Sequence, residues 1–293
     1  MRAHVPVLCR EAIEILNVQP DGFYIDATLG AGGHAEEILR RLENGKLLGI
    51  DRDPAALATA RERLKGFGDK LIAMPGNFAQ ISELRAASGF PPADGLLADL
   101  GMSTMQLEDA SRGFSFSTPG LLDMKMGPGP GPNAADLVNE MSEQELADVI
   151  FKLGEERHSR RVARAIVKGR PYRSTTELAQ VVTRAIPSRT ALHHIHPATR
   201  TFQALRMAVN RELECLESLL AQVLGVLKPG GRVVILSFHS LEDRLVKSTF
   251  KTWQRDGCAT ILTRHVVRPT EEELAVNPRS RSGRLRAAER SAG

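Results

Sequence analysis

Along the first hundred positions, short apolar runs alternate with stretches of helical spacing. Residues 23–25, 47–50, 70–73 and 95–98 read as strands. Residues 35–42 and 54–64 read as helices, with Pro54 suited to a first helical turn. Strand and helix in alternation predict a parallel sheet covered on both faces. The alternation stops near Gly101, and a loop-rich stretch runs to Pro132. Its last six residues, Gly127-Pro128-Gly129-Pro130-Gly131-Pro132, exclude regular structure and read as a hinge or exposed loop. Helical patterns follow at 142–153, 158–168 and 178–186, the last behind a capping box of Ser174 and Glu177. One long helix is predicted over 201–227, ending at Lys228-Pro229-Gly230-Gly231. A strong strand at 232–237, a helix at 241–250 and a terminal strand pair, 260–267 with 284–288, complete the pattern. The basic segment 278–290 reads as mobile. The expected organisation is a discontinuous sheet domain, 1–104 and 201–293, with an inserted all-helical domain at 105–200.

Composition narrows the class. A chain of 293 residues with 42% hydrophobic and 25% charged residues has the material for a full core. No apolar run has the length of a membrane span, and the first residues lack the pattern of a signal peptide, so a cytoplasmic protein is expected. Cys9, Cys215 and Cys258 are far apart and suggest neither a zinc cluster nor a redox pair. His193, His194 and His196 are close in sequence but lack paired carboxylates, so no metal is expected. Net charge is only +4, yet residues 151–211 hold thirteen Lys and Arg against three Glu, a local excess of +10. Such an excess predicts a polyanionic partner.

The chemistry centres on Asp26-Ala-Thr28-Leu-Gly30-Ala-Gly32-Gly33-His34, where a strand ends in an acid and a glycine turn opens a helix. Glycines there let the backbone approach a ligand closely. Asp51 follows at the end of the next strand, placed to accept ribose hydroxyls. Read locally, the loop admits a dinucleotide, S-adenosylmethionine or a tight turn without a ligand. An acid just before the loop suits a cationic amino acid and sulfonium better than a pyrophosphate. Asn77-Phe78 after the third strand, Asp99 ending the fourth, and Lys-Pro-Gly-Gly before the fifth favour a methyltransferase.

The motifs extend over nearly the whole chain. They include His4-Val-Pro-Val-Leu, the Asp26–His34 loop, Asp51-Arg-Asp-Pro54, Asp99-Leu-Gly101, Gln106-Leu, Arg112-Gly-Phe-Ser-Phe116 and Leu122-Asp-Met124. Gly154-Glu-Glu-Arg157, His196-Pro-Ala-Thr-Arg-Thr-Phe-Gln-Ala-Leu-Arg206, Ser237-Phe-His-Ser-Leu-Glu-Asp-Arg244 and Asn277-Pro-Arg-Ser-Arg-Ser282 follow in order. By these the chain resembles the bacterial small-subunit ribosomal RNA (cytidine-N4) methyltransferases of the RsmH or MraW type. It departs from them at Met105, where proline is usual, at Lys125 in place of arginine and at Leu153 in place of tyrosine. The resemblance implies a class I, Rossmann-like methyltransferase sheet with helices on both faces and an inserted helical domain that recognises substrate. It implies that Gly32, Gly33, His34, Asp51, Phe78, Asp99 and Gln106 contact S-adenosylmethionine, with Asp26 in support. It also implies that the acceptor is a cytidine in the decoding region, at the P site, of 16S ribosomal RNA. The partner is then that RNA or the assembled 30S subunit, with no membrane, and a homodimer stays open.

The cytosine amine is a weak nucleophile, so an acceptor for its proton is needed. Asp99 is the first candidate for that role, with orientation of the cofactor as its alternative. Ser103 and His239 are further candidates, although His239 reads more readily as a hydrogen-bonded histidine that holds a turn. Phe114 and Phe116 are positioned either to stack on the base or to pack onto the core. Arg157, Arg160, Arg161, Arg164, Arg200 and Arg206 are the expected grips for RNA phosphates.

Overall fold

The computed structural model describes residues 6–187 and 196–292. Two compact units emerge, Met1–Gly101 with Leu213–Gly293, and Met102–Glu212. The first opens with α1 (Cys9–Leu16), β1 (Phe23–Asp26), α2 (Gly33–Leu39), β2 (Lys46–Asp51), α3 (Pro54–Leu64), β3 (Leu71–Pro75), α4 (Ile81–Ala87) and β4 (Ala93–Asp99). The second holds α5 (Thr104–Glu108), α6 (Ala134–Glu140), α7 (Glu143–Gly154), α8 (Ser159–Lys168), α9 (Thr175–Ala185) and α10 (Thr199–Asn210). The chain then runs through α11 (Glu212–Val226), β5 (Leu227–Ser237), α12 (Ser240–Arg255), β6 (Ala259–Ile261), α13 (Glu271–Val276) and β7 (Arg284–Arg290).

The seven strands lie in the order β3-β2-β1-β4-β5-β7-β6. Pairs from β3 to β5 are parallel, while β7 is antiparallel to both β5 and β6. Successive strand residues point to opposite faces. Ile25, Leu48, Leu96 and Val233 therefore join the cluster with α11 and α12. Tyr24, Leu47, Leu97 and Val234 join the cluster with α1, α2 and α3. Burial on both faces explains why these strands read as apolar runs rather than as alternating patterns. Each fully buried Leu or Ile contributes about 2 kcal/mol. The strand order reverses at β1 and β4, which places a ligand crevice outside the carboxyl ends of those strands. This is the doubly wound, Rossmann-like sheet with helices on both faces expected from the sequence.

The second unit is helical around its own core of Leu137, Leu146, Ile150, Val162, Ile166 and Leu178 among others. Helix α8 shows why it forms: Ser159, Val162, Ala163 and Ile166 are buried on one stripe, while Arg160, Arg161, Arg164 and Lys168 are exposed on the other. Ser142 and Ser174 cap α7 and α9 by reciprocal bonds with Glu145 and Glu177.

Five expectations change. The single helix over 201–227 is two helices, broken at Arg211, which has a φ of 50°. The break is held by Asn210, whose buried amide accepts from Met126 N at 2.8 Å and donates to Met124 O at 2.7 Å. Arg206 bridges the break with two bonds to Glu212. Helix α10 packs through Phe202 and Leu205 into the second core, so this unit runs to Glu212 rather than to 200. The basic segment 278–290 is part of the sheet instead of a mobile tail. Ser280 is fully buried in a 3-10 turn at Pro278–Ser282, and β7 lies between β5 and β6. The terminal pair forms, although β6 covers only Ala259–Ile261, with Val267 adding an isolated bridge to Leu285. The 104–108 stretch, which reads as loop, contains α5.

Candidate active site

The carboxyl edge of the sheet gathers three acids without a matching cation. Asp26 ends β1, Asp51 ends β2 and Asp99 ends β4. Among the described residues none of them is ion-paired with an arginine or lysine. Thr28 ties two of them together. Its N–H donates to Asp26 Oδ1 at 3.1 Å, and its hydroxyl accepts from Asp99 N at 2.6 Å. Asp51 is fixed by Gly30 N on Oδ2 at 2.7 Å and by Asp53 N on Oδ1 at 2.8 Å. Each oxygen thus keeps a lone pair for a hydroxyl.

Burial makes these charges costly. It pushes Asp26 up to about 7, with the charge of Asp51 adding and the Thr28 bonds opposing. It raises Asp51 as well, against the two backbone donors. Asp99 goes up to about 8, through burial first and then the charges of Asp26 and Glu242. A quarter of the Asp99 side chain is exposed, while its Oδ1 is buried and has no hydrogen-bond partner. A buried, unpartnered carboxylate oxygen beside two further acids is poised for a cation or a strong donor.

His34 adds a directional constraint. Its Nε2 lies 3.1 Å from the carbonyl of Val7, which can only accept, so Nε2 donates. In the neutral ring Nδ1 then carries the lone pair, and it faces Asp99 Oδ2 at 3.6 Å. The glycines supply the approach. Gly30 and Gly32 have φ of 52° and 81°, and a Cβ on Gly33 would stand 2.5 Å from Pro6 Cγ. Phe78 is half-buried in a 3-10 turn after β3, capped by Asn77 through its bond to Ala79 N.

His239 and Glu242 stand after β5. His239 caps α12, its Nδ1 accepting from Glu242 N at 3.4 Å, and its Nε2 lies 3.1 Å from Glu242 Oε1. Glu242 Oε2 takes the N–H of Phe238 at 2.9 Å. The pair is buried and holds the turn, which is the second of the two roles open for His239. Sequence reading missed Thr28 and Glu242. Both stand inside motifs of the sequence, two residues past Asp26 and three past His239, but carried no assigned role.

The remaining expected residues lie in the second unit. Ser103 and Gln106 are engaged with each other as the capping box of α5, and Gln106 Nε2 donates to Met126 O at 3.2 Å. That box holds the turn which Met105 would otherwise leave without the usual proline. Phe114 is a core residue, and Phe116 packs against His196 and Phe202 at 4.7 and 4.8 Å between centroids, so both are used for packing. Arg157, Arg160, Arg161 and Arg164 are exposed, Arg164 being 3.2 Å from Glu143. Arg200 bonds to Glu155 O at 3.3 Å. Arg206 is 13% exposed and spent on Glu212, which removes it from the expected RNA grips. His193, His194, Arg189 and the start of the His4 motif lie outside the described residues.

This donor set fits S-adenosylmethionine: acids for a sulfonium and an ammonium, Asp51 for ribose hydroxyls, glycines for close backbone approach. The family model of the MraW methylases matches residues 1–291. A relative from Syntrophobacter fumaroxidans is 47% identical over 306 residues, covering 98% of this chain and 96% of its own. Another, from Solibacter usitatus, is 50% identical over 286 residues, covering 98% and 99%. Both carry the name ribosomal RNA small subunit methyltransferase H. Its cofactor is S-adenosylmethionine, and the chain belongs to the MraW methylase family.

Proposed function

We propose that the protein transfers a methyl group from S-adenosylmethionine to N4 of a cytidine in the decoding region, at the P site, of 16S small-subunit ribosomal RNA. The carrying observation is Asp99 Oδ1, buried without a partner at the end of β4. The name shared by relatives that match over the full length supports ribosomal RNA as the acceptor. The cofactor supplies an electrophilic methyl on a sulfonium, displaced in line, so positioning carries much of the rate. Asp26 and Asp99 meet the positive charge, Asp51 the ribose, and Phe78 flanks the adenine. Asp99 accepts a hydrogen bond from the amine, which draws the nitrogen lone pair out of the ring and takes the proton after transfer. His34 Nδ1, left as the acceptor by the bond from Nε2 to Val7 O, faces the other oxygen of Asp99 at 3.6 Å. Ser103, Gln106 and His239 serve as positioning residues.

The helical unit recognises the RNA through α8. Arg160, Arg161, Arg164 and Lys168 share its solvent face, with Arg157 just before it. Like charges four apart destabilise a helix by about 0.3 kcal/mol per pair, a cost offset by a polyanion. Arg200 stands at the N-terminal end of α10 as a further contact. No helix among the described residues is long and apolar enough to cross a membrane, and we place the protein in the cytoplasm, where its substrate is. Labelled methyl transfer by Asp99→Ala tests the assignment. Transfer falls at least a hundredfold while calorimetric unfolding remains cooperative; full activity removes Asp99 from the mechanism. Replacing Arg160, Arg161 and Arg164 together by Gln weakens RNA binding and its salt dependence. An unchanged salt slope contradicts the grip.

A further inference from the structure

Arg284 is the first residue of β7 and lies opposite Ser237, the last residue of β5. On the helix face of this sheet it precedes Arg286, since alternate residues share a face. Arg286 is neutralised by Asp243 of α12, with Nε to Oδ1 at 2.6 Å. Arg284 has no such partner. Its Nη1 is buried without a hydrogen bond, and among the described residues no acid is paired with it. The acids of that face are committed elsewhere: Asp243 to Arg286, and Glu242 to Phe238 N and His239. Residues 1–5 and 188–195 contain no acidic side chain. The Arg284 side chain is partly exposed, and its buried Nη1, with neither counter-charge nor hydrogen bond, is a donor open to an anion.

The position specifies which anion. Asp99 pairs with Leu236 across β4 and β5, and Leu236 pairs with Leu285 across β5 and β7. Arg284 immediately precedes Leu285, so its backbone is two strand spacings, about 10 Å, from that of Asp99, with its side chain on the other face of the sheet from Leu236 and Leu285. It lies on the side away from β1, β2 and β3, which carry Asp26, Asp51 and Phe78 for the cofactor. The separation is comparable with that between the edge of a base and its own phosphate. The site is also rigid: Val267 and Leu285 exchange bonds at 3.1 and 2.9 Å, and Gly283 N donates to Ser280 O at 2.7 Å. Arg281, exposed in the preceding turn, adds a second positive charge.

We infer that Arg284 binds a phosphodiester of the RNA next to the nucleotide being methylated, anchoring the acceptor strand across β5 and β7. This rests on the RNA methyltransferase reading above. The test is the affinity of Arg284→Gln and Arg284→Lys for a fluorescent small-subunit RNA fragment between about 50 and 200 mM salt. Affinity for S-adenosylmethionine is measured alongside. Arg284→Gln is expected to lose about tenfold in RNA affinity and to lower the salt slope by about 0.7, the share of one phosphate on a single strand. Arg284→Lys keeps the slope, and cofactor binding is unchanged in both. A wild-type slope in Arg284→Gln overturns the site and leaves the methyltransferase reading standing. A wild-type protein that neither binds nor methylates the RNA overturns both. If Arg284→Gln fails to bind cofactor and is misfolded, methylphosphonates placed one at a time around the acceptor decide with the wild-type protein. One sensitive phosphate supports the site, and none overturns it.

Discussion

Replacing Asp99 by asparagine is predicted to stabilise the cofactor-free protein. Its carboxyl sits at about 8 in the fold against an ordinary 3.8, mainly because burial penalises the charge. The folded protein therefore holds a proton that the unfolded chain releases above pH 4. Stability contributed by this proton is present below 3.8 and is lost as pH rises toward 8. One proton gives a slope of about 1.4 kcal/mol per pH unit, so three units to pH 7 give an upper bound near 4 kcal/mol. A quarter of the side chain is exposed, which allows solvent to relax the charge. About 2 kcal/mol is the expected gain for Asp99→Asn at pH 7, with little difference near pH 4.5. In a chain of this size that raises the melting temperature by about 5 °C. Calorimetric melts of both proteins without cofactor at pH 5, 7 and 8 measure it. A variant less stable than wild type at pH 8, or a gap that does not close toward pH 5, refutes the reasoning.

The same acids make cofactor binding depend on pH. A cationic ligand prefers ionised Asp26 and Asp99, which sit at about 7 and 8 without it. Affinity for S-adenosylmethionine rises between about pH 6 and 8, and protons are released on binding at pH 7. Calorimetry in buffers of different ionisation enthalpy reads the release, and its absence counts against a cationic ligand at these carboxyls. In the second unit, Asn210→Ala leaves the N–H of Met126 and one acceptor position on Met124 O without their partner. A loss of about 3 kcal/mol in chemical denaturation is expected; less than about 0.5 kcal/mol means the Arg211 break is held by other contacts.

Much of this was legible in the sequence because the sheet is buried on both faces. Continuous apolar runs mark β1, β2 and β4, and the acids at their ends mark the edge. The Ser174 and Glu177 box placed the start of α9 in the same way. What stayed hidden depends on partners far along the chain. The break at Arg211 follows from Asn210 reaching Met124 and Met126, and no glycine or proline announces it. The basic segment before Arg290 has a polar composition, yet strand pairing with β5 and β6 orders it. Exposed and committed arginines look alike in sequence: Arg160 faces solvent, while Arg206 is spent on Glu212. The proton arrangement of His34 was also out of reach, since it depends on the carbonyl of Val7, 27 positions away.

The proposed activity stands or falls on where the methyl group goes. Small subunits lacking the modification, incubated with the protein and labelled S-adenosylmethionine, are digested and the labelled nucleotide mapped and identified. A single N4-methylated cytidine in the decoding region is expected, absent with Asp99→Ala. Label on another atom or another base, or none under conditions where a relative of the same family transfers it, contradicts the account.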